Sequence, residues 1–242
     1  MWQDLRVLFL LGGLLYSIHA YADKKIVLAT ANWEPYISES SATQGQFSEI
    51  VTSIFKEMQL ETTLIFAPWK RVESIVADGE AFAAIPYAYT KERHKKFDYS
   101  DPIMNSSYVF IYNKKVYPKG IDYTQLEELG NYRISGVTGY WYEQLFMSAK
   151  LKVEYVTSDE QNIVKLYANR VDLVATNDLV GWFLIKKRYP KEVAQFGVLK
   201  KPFGSQYLHL MVSKKYPHAL ELTQRFNAIL KKRRELGSVP AL

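Results

Sequence analysis

Short apolar runs alternate with stretches of helical spacing along most of this chain. Lys25 to Thr30 is a brief apolar run suited to a buried parallel strand, and it gives way to a loop at Ala31-Asn32-Trp33-Glu34-Pro35-Tyr36. From Ser48, the positions Ile50, Val51, Ile54, Phe55 and Met58 recur with helical period, and Thr62 to Phe66 reads as a second strand. A helix is predicted next, with Pro68 in its first turn, Val72, Ile75 and Val76 on one face, and Gly79 at its end. Phe82 to Ile85 then forms a strand leading into the Pro86 to Tyr89 loop, and Thr90 is placed to cap a turn of helix ahead of Arg93.

The alternation restarts after Gly120. Strands are expected at Tyr132 to Val137, Val153 to Val156 and Val171 to Thr176. Helices are expected at Tyr142 to Ala149, after the cap Ser158, and after Asn177-Asp178 through Leu179, Phe183 and Leu184. Tyr207 to Val212 is a further strand, followed by a closing helix carrying Leu222, Phe226, Ile229 and Leu230. Alternation of this kind predicts α/β architecture. If the last strand and helix return to the first half, extended segments cross near Ser107 to Phe110 and near Phe203 to Tyr207, and two crossings make a hinge. The expected division is 1–22 leader, 23–109 first lobe, 110–204 second lobe and 205–242 return to the first lobe.

The leader is read from Arg6, the apolar run Val7 to Ile18 and the small-x-small site Ala20-Tyr21-Ala22, an export signal cleaved after Ala22. The run is shorter than the roughly 20 apolar residues of a spanning helix. The absence of cysteine excludes disulfides, thiolate metal sites, a cysteine nucleophile and a lipid-anchoring cysteine. A periplasmic destination and a monomer are expected. The net charge of +6 comes mainly from scattered lysine doublets, and the one cluster, Lys231 to Arg234, falls at a helix end, where cations favour the macrodipole. Nucleic-acid binding is therefore not expected, because the aromatics lie away from the lysines. The histidines have no ligand spacing and no Gly-x-Ser-x-Gly elbow occurs, so neither metal nor serine catalysis is expected.

Ligands of open α/β sheets sit at the carboxyl ends of strands, and here the loops in that position are rich in rings. They contain Trp33 and Glu34, then Trp69, then Tyr87 and Ala88, then Tyr140 and Trp141, and finally Asn177 and Asp178. Such loops predict a cleft that holds a small molecule between flat walls. Arg93 is the first candidate cation, since a planar guanidinium suits a carboxylate, with pairing to Glu92 or Asp98 as its ordinary structural role. Arg71 is the second, with Glu73 as the corresponding intrahelical partner.

Gly45-Gln46-Phe47, Pro68-Trp69-Lys70-Arg71, Thr90-Lys91-Glu92-Arg93, Phe97-Asp98-Tyr99-Ser100-Asp101-Pro102 and Arg170-Val171-Asp172 together resemble the family 3 bacterial extracellular solute-binding proteins. The resemblance implies a periplasmic binding protein-like type II fold, two α/β lobes joined by a two-strand hinge. It further implies capture of a small carboxylate-bearing solute, an amino acid or related compound, for an ABC permease or a membrane sensor, without a cofactor. Position by position, Arg93 matches the arginine that holds the ligand carboxylate, and Trp33 and Trp69 match apolar or aromatic walls. Asn177 stands in place of the aspartate that pairs with the ammonium, with Asp178 beside it. Ala88 replaces a serine, and Tyr140 and Trp141 follow Gly139 where a small hydroxyl residue is common. The same fold also resembles periplasmic cyclohexadienyl dehydratases, for which Glu34 and Asp178 would supply the acid or base.

Overall fold

The computed structural model describes residues 25–240 and residue 242. The expected leader, 1–22, lies outside the described residues. Among the described residues, no helix is long and apolar enough to cross a membrane.

The near lobe begins with strand β1 (Lys25–Thr30), helix α1 (Gln46–Glu57), β2 (Glu61–Phe66), α2 (Trp69–Asp78) and β3 (Ala83–Ala88). β1 pairs in parallel with β2 on one side and β3 on the other, as expected of strands joined by crossover helices. Pro68 is the residue before α2 rather than part of its first turn, and Gly79 ends the helix in left-handed geometry. Gly45, before α1, has φ 94°, and a Cβ there would meet the Tyr36 carbonyl at 2.5 Å, so only glycine lets α1 start against the first loop. Thr90 caps the single turn α3 (Lys91–His94), its hydroxyl accepting from the Arg93 N–H at 3.2 Å. The short strand β4 (Phe97–Tyr99) follows.

Strand β5 (Met104–Asn113) leaves this lobe. The far lobe contains β6 (Ile134–Val137), α4 (Glu143–Ser148), β7 (Val153–Val156), α5 (Asp159–Tyr167), β8 (Leu173–Asn177), α6 (Asp178–Arg188) and β9 (Phe196–Val198). Strand β10 (Gly204–Ser213) returns, and helix α7 (Ala219–Glu235) closes the chain. The sheet order is β2-β1-β3-β10-β5-β8-β6-β7. Within it, Met104 to Tyr108 of β5 pairs antiparallel with Gly204 to Leu208 of β10. Beyond that ladder, β5 pairs with β8 in the far lobe and β10 with β3 in the near lobe. These two strands are the hinge, and both begin earlier in sequence than the apolar pattern predicts because their shared segment carries consecutive polar residues, Asn105, Ser106 and Ser107 on β5 and Ser205 and Gln206 on β10.

The core fills both lobes. Phe55, Phe82 and Phe226 meet ring to ring under α1 and α7, and Phe110, Phe146 and Phe203 do so in the far lobe. The basic run at the end of α7 is anchored rather than simply solvated. Arg233 bonds Glu57 at 2.9 Å and Ser53 at 2.6 Å, and Arg234 donates to the Pro102 carbonyl. On α6 the expected apolar face is displaced: Val180, Gly181 and Ile185 are buried, while Leu179 is exposed.

Candidate functional site

The aromatic loops converge where the lobes meet. From the near lobe come Trp33 after β1, Trp69 at the start of α2, and Tyr87 and Ala88 on β3. From the far lobe come Gly139, Tyr140 and Trp141 after β6, and Tyr108 on the hinge strand completes the wall. The space they bound is about 340 Å³, part of it open to solvent.

Local structure fixes each ring. Trp33 and Ile37 exchange backbone hydrogen bonds of 2.9 and 3.0 Å, and the Trp33 ring stacks on Tyr36 with centroids 4.6 Å apart. Trp69 stands edge-on to Trp33 at 6.3 Å, to Tyr87 at 5.5 Å and, across the cleft, to Tyr140 at 6.1 Å. The Tyr87 hydroxyl donates to the Trp69 carbonyl at 3.0 Å. Trp141 meets Tyr108 edge-on at 5.3 Å. Its place depends on Gly204, where a Cβ would come within 2.6 Å of the indole.

Arg93 lies in this wall, with its guanidinium carbon 4.8 Å from the centre of the Tyr87 ring. Its nearest carboxylate is neither Glu92 nor Asp98. Nε and Nη2 both donate to Glu73 Oε1, at 2.9 and 2.7 Å, and Nη2 also donates to the Gly139 carbonyl across the cleft. Burial pulls the Arg93 pKa down, but the Glu73 carboxylate leads the opposing influences and the net shift is upward, so the guanidinium stays charged.

Below Tyr140 lies a buried carboxyl group, that of Asp159, the first residue of α5. Its carboxylate accepts from the Tyr140 hydroxyl and, at 2.7 Å, from the Thr176 hydroxyl. Burial pushes the Asp159 carboxyl up, and the hydrogen bonds from Tyr140 and Thr176 pull it partly back. The Trp33 indole N–H lies close enough to this carboxylate to favour its charged form, without making a full hydrogen bond. Trp33 and Asp159 also line a neighbouring cleft with Glu34, Glu160 and Lys187, about 560 Å³ when the solvent at its mouth is included.

Of the residues expected at the site, Trp33, Trp69, Tyr87, Ala88, Arg93, Tyr140 and Trp141 line the aromatic cavity together. The other four lie elsewhere. Glu34 faces the neighbouring cavity, where its Oε2 is 2.5 Å from Lys187 Nζ and its Oε1 accepts from Ser38 at 2.9 Å. Arg71 is exposed on α2. Asn177 is buried as the N-cap of α6, accepting from the Val180 N–H and donating to the Ser107 carbonyl. Asp178 opens α6 and is half-buried. Sequence reasoning missed Glu73 as the partner of Arg93, and it missed Asp159, Tyr108, Lys187 and Gly204. Asp159 follows the helix cap Ser158, a place where an acidic residue ordinarily needs no further explanation.

Two lobes, a two-strand hinge and a cavity walled from both sides define a two-lobed binding protein of the periplasmic type. The sequence profile of the bacterial extracellular solute-binding proteins, family 3, matches residues 26–241, and the chain belongs to that family. No curated protein sequence matches it significantly. Among solved structures, an ancestral arginine-binding protein bound to arginine is similar at TM-score 0.74 and 20% identity, covering 89% of this chain and 94% of that one. An ABC uptake transporter substrate-binding protein from Streptococcus pneumoniae with bound histidine is similar at TM-score 0.76 and 13% identity, with 89% of each chain covered. A histidine kinase sensor domain with similarity to periplasmic binding proteins reaches TM-score 0.77 at 14% identity, covering 89% of this chain and 92% of that one.

Proposed function

We propose that this chain is an exported receptor that holds a small solute of amino-acid size between its lobes and presents it to an ABC permease or a membrane sensor. The observation that carries this reading is the construction of the cavity. Its rings come from both lobes, and Arg93 of the near lobe meets Gly139 of the far lobe across it. A ligand bound there is buried only when the lobes are together, so its binding energy favours the closed form over the open one. In this reading the leader is removed after Ala22, the lobes divide near residues 109 and 204, at the far-lobe end of the hinge ladder, and the receptor acts as a monomer without a cofactor.

Binding rather than catalysis is supported by the surroundings of the two carboxylates that a dehydratase reading would use. Glu34 is ion-paired with Lys187, and neither Glu34 nor Asp178 lines the aromatic cavity. Native mass spectrometry of protein purified without denaturation, followed by a tryptophan-fluorescence titration with a panel of amino acids and small cyclic metabolites, tests the proposal. We expect a retained or added solute that changes the emission of Trp33, Trp69 or Trp141. A panel that leaves both the mass and the emission unchanged, or turnover of prephenate or arogenate, overturns it.

A further inference from the structure

The partner of Arg93 bears on what the receptor can bind. Glu73 lies on α2, one turn after Trp69, and Arg93 lies on α3, so both belong to the near lobe. Their ion pair therefore forms whether the lobes are open or closed, whereas the Gly139 contact requires closure. Together these bonds use the Nε–H and Nη2–H groups and leave the two N–H groups of Nη1.

A carboxylate-bearing ligand prefers the fork of a guanidinium, where two parallel N–H groups meet its two oxygens. Here the Nε and Nη2 edge already rests on Glu73. An incoming anion would have to displace a carboxylate tethered a few ångströms away, whose effective concentration exceeds that of a free solute. If it bound beside the pair instead, it would face Glu73 at close range in a site where the Arg93 side chain is only 12% exposed and screening is weak.

The remainder of the wall has no net charge of its own and is rich in donors. Six rings line it, those of Trp33, Trp69, Tyr87, Tyr108, Tyr140 and Trp141. Besides Arg93 Nη1, two buried indole N–H groups are only loosely engaged, that of Trp33 beside the Asp159 carboxylate and that of Trp141 beside the Tyr108 hydroxyl. Flat walls and the free Nη1 edge of a charge-paired guanidinium match a planar, uncharged solute bearing a carbonyl or ring-nitrogen acceptor.

We propose that Glu73 is a specificity-determining residue: by occupying Arg93 from within the same lobe, it makes the site select an uncharged planar acceptor over a carboxylate. The proposal rests on the receptor reading above and narrows its ligand class.

The test compares benzamide with benzoate, which share a shape and differ in charge, against wild type, Glu73→Gln and Glu73→Ala at pH 7.5. Binding is followed by tryptophan fluorescence and folding by circular dichroism. Wild type is expected to prefer benzamide by about tenfold or more, and either folded variant to move the ratio toward benzoate by a similar factor. Wild-type protein that binds benzoate as tightly as benzamide overturns the proposal. So does a ratio unmoved in the folded variants, or a carboxylic acid retained by native wild-type protein. If wild type binds neither probe nor any member of the metabolite panel, the receptor reading falls together with this one. An unmoved ratio with binding intact removes the role of Glu73 alone.

Discussion

Lys187 Nζ lies 2.5 Å from Glu34 Oε2, joining α6 of the far lobe to the first loop of the near lobe. The Glu34 side chain is 11% exposed and that of Lys187 54%, so the pair closes over the cleft with one partner still wet. Ion pairs with one solvated partner contribute about 0.2–1 kcal/mol. Lys187→Met is expected to weaken apparent solute affinity about two- to fivefold and to enlarge the ligand-free molecule in small-angle scattering, since the lost contact exists only when the lobes are together. Unchanged scattering and affinity would show that the pair does not bias closure.

Gly204 opens hinge strand β10 directly against Trp141. Gly204→Ala places a methyl where the indole now sits, and forced repacking of this kind costs about 1–3 kcal/mol. Thermal unfolding is expected to shift down, and near-ultraviolet circular dichroism to change as Trp141 moves. Solute affinity should fall as well, because the displaced ring belongs to the cavity wall. An unaltered Tm and an unaltered aromatic spectrum would refute the close packing described.

Asp159 is predicted to give stability an unusual pH trend. Its folded pKa is raised by burial, so the folded chain holds this proton more firmly than the unfolded chain does. The contribution is complete below the ordinary aspartate range and declines as pH rises through the folded value. Denaturant unfolding of wild type and Asp159→Asn at several pH values from 4 to 8 should show wild type losing ground to the variant with increasing pH. A difference constant across that range would contradict the assignment.

His209 on β10 gives the opposite trend. Burial lowers its pKa, while its Nδ1–H donates to the Ser100 carbonyl at 2.8 Å. A base with a depressed folded pKa contributes stability that is complete above the ordinary value, near 6.5, and is lost as pH falls through the folded one. His209→Gln should remove that loss, so the stability curves of variant and wild type converge on acidification. Titration of the imidazole by NMR would check the direction of the shift independently.

Most elements and their order along the chain were legible in the sequence because the strands and helices carry an apolar period; α6, whose buried face is displaced, and β9, which was not predicted, are the exceptions. Val72, Ile75 and Val76 face inward as their spacing predicts. The hinge was legible only in part, since Asn105, Ser106 and Ser107 interrupt any apolar pattern and the segment is held by pairing with β10 rather than by burial on two faces. Seven of the eleven expected site residues line one cavity because they lie at or just after strand ends: Trp33, Tyr140 and Trp141 are in loops, Trp69 and Arg93 are in the helices that follow, and Tyr87 and Ala88 belong to β3 itself, which runs through the expected Pro86 to Tyr89 loop as far as Ala88. The partners were not legible. Glu73 and Arg93 lie on different helices, as do Glu34 and Lys187 on different lobes, and no local spacing encodes such pairs. Asp172, part of the motif that carries the family likeness, accepts from the Arg133 backbone and guanidinium at 2.7 to 3.0 Å, so its contribution is to hold β8 beside the start of β6.

The hinge ladder also determines how the far lobe is spliced into the chain. Tyr108 on the outgoing strand lies opposite Gly204 on the returning one, so the intervening segment enters and leaves at neighbouring points. In genetic terms the far lobe is a cassette. Its ends are already held together by backbone pairing, so a replacement lobe of different length would add little closure entropy, provided it starts and stops on the same two strands. Aromatic loops after β6 can therefore diversify along a lineage without disturbing the lobe that contains Arg93 and Glu73.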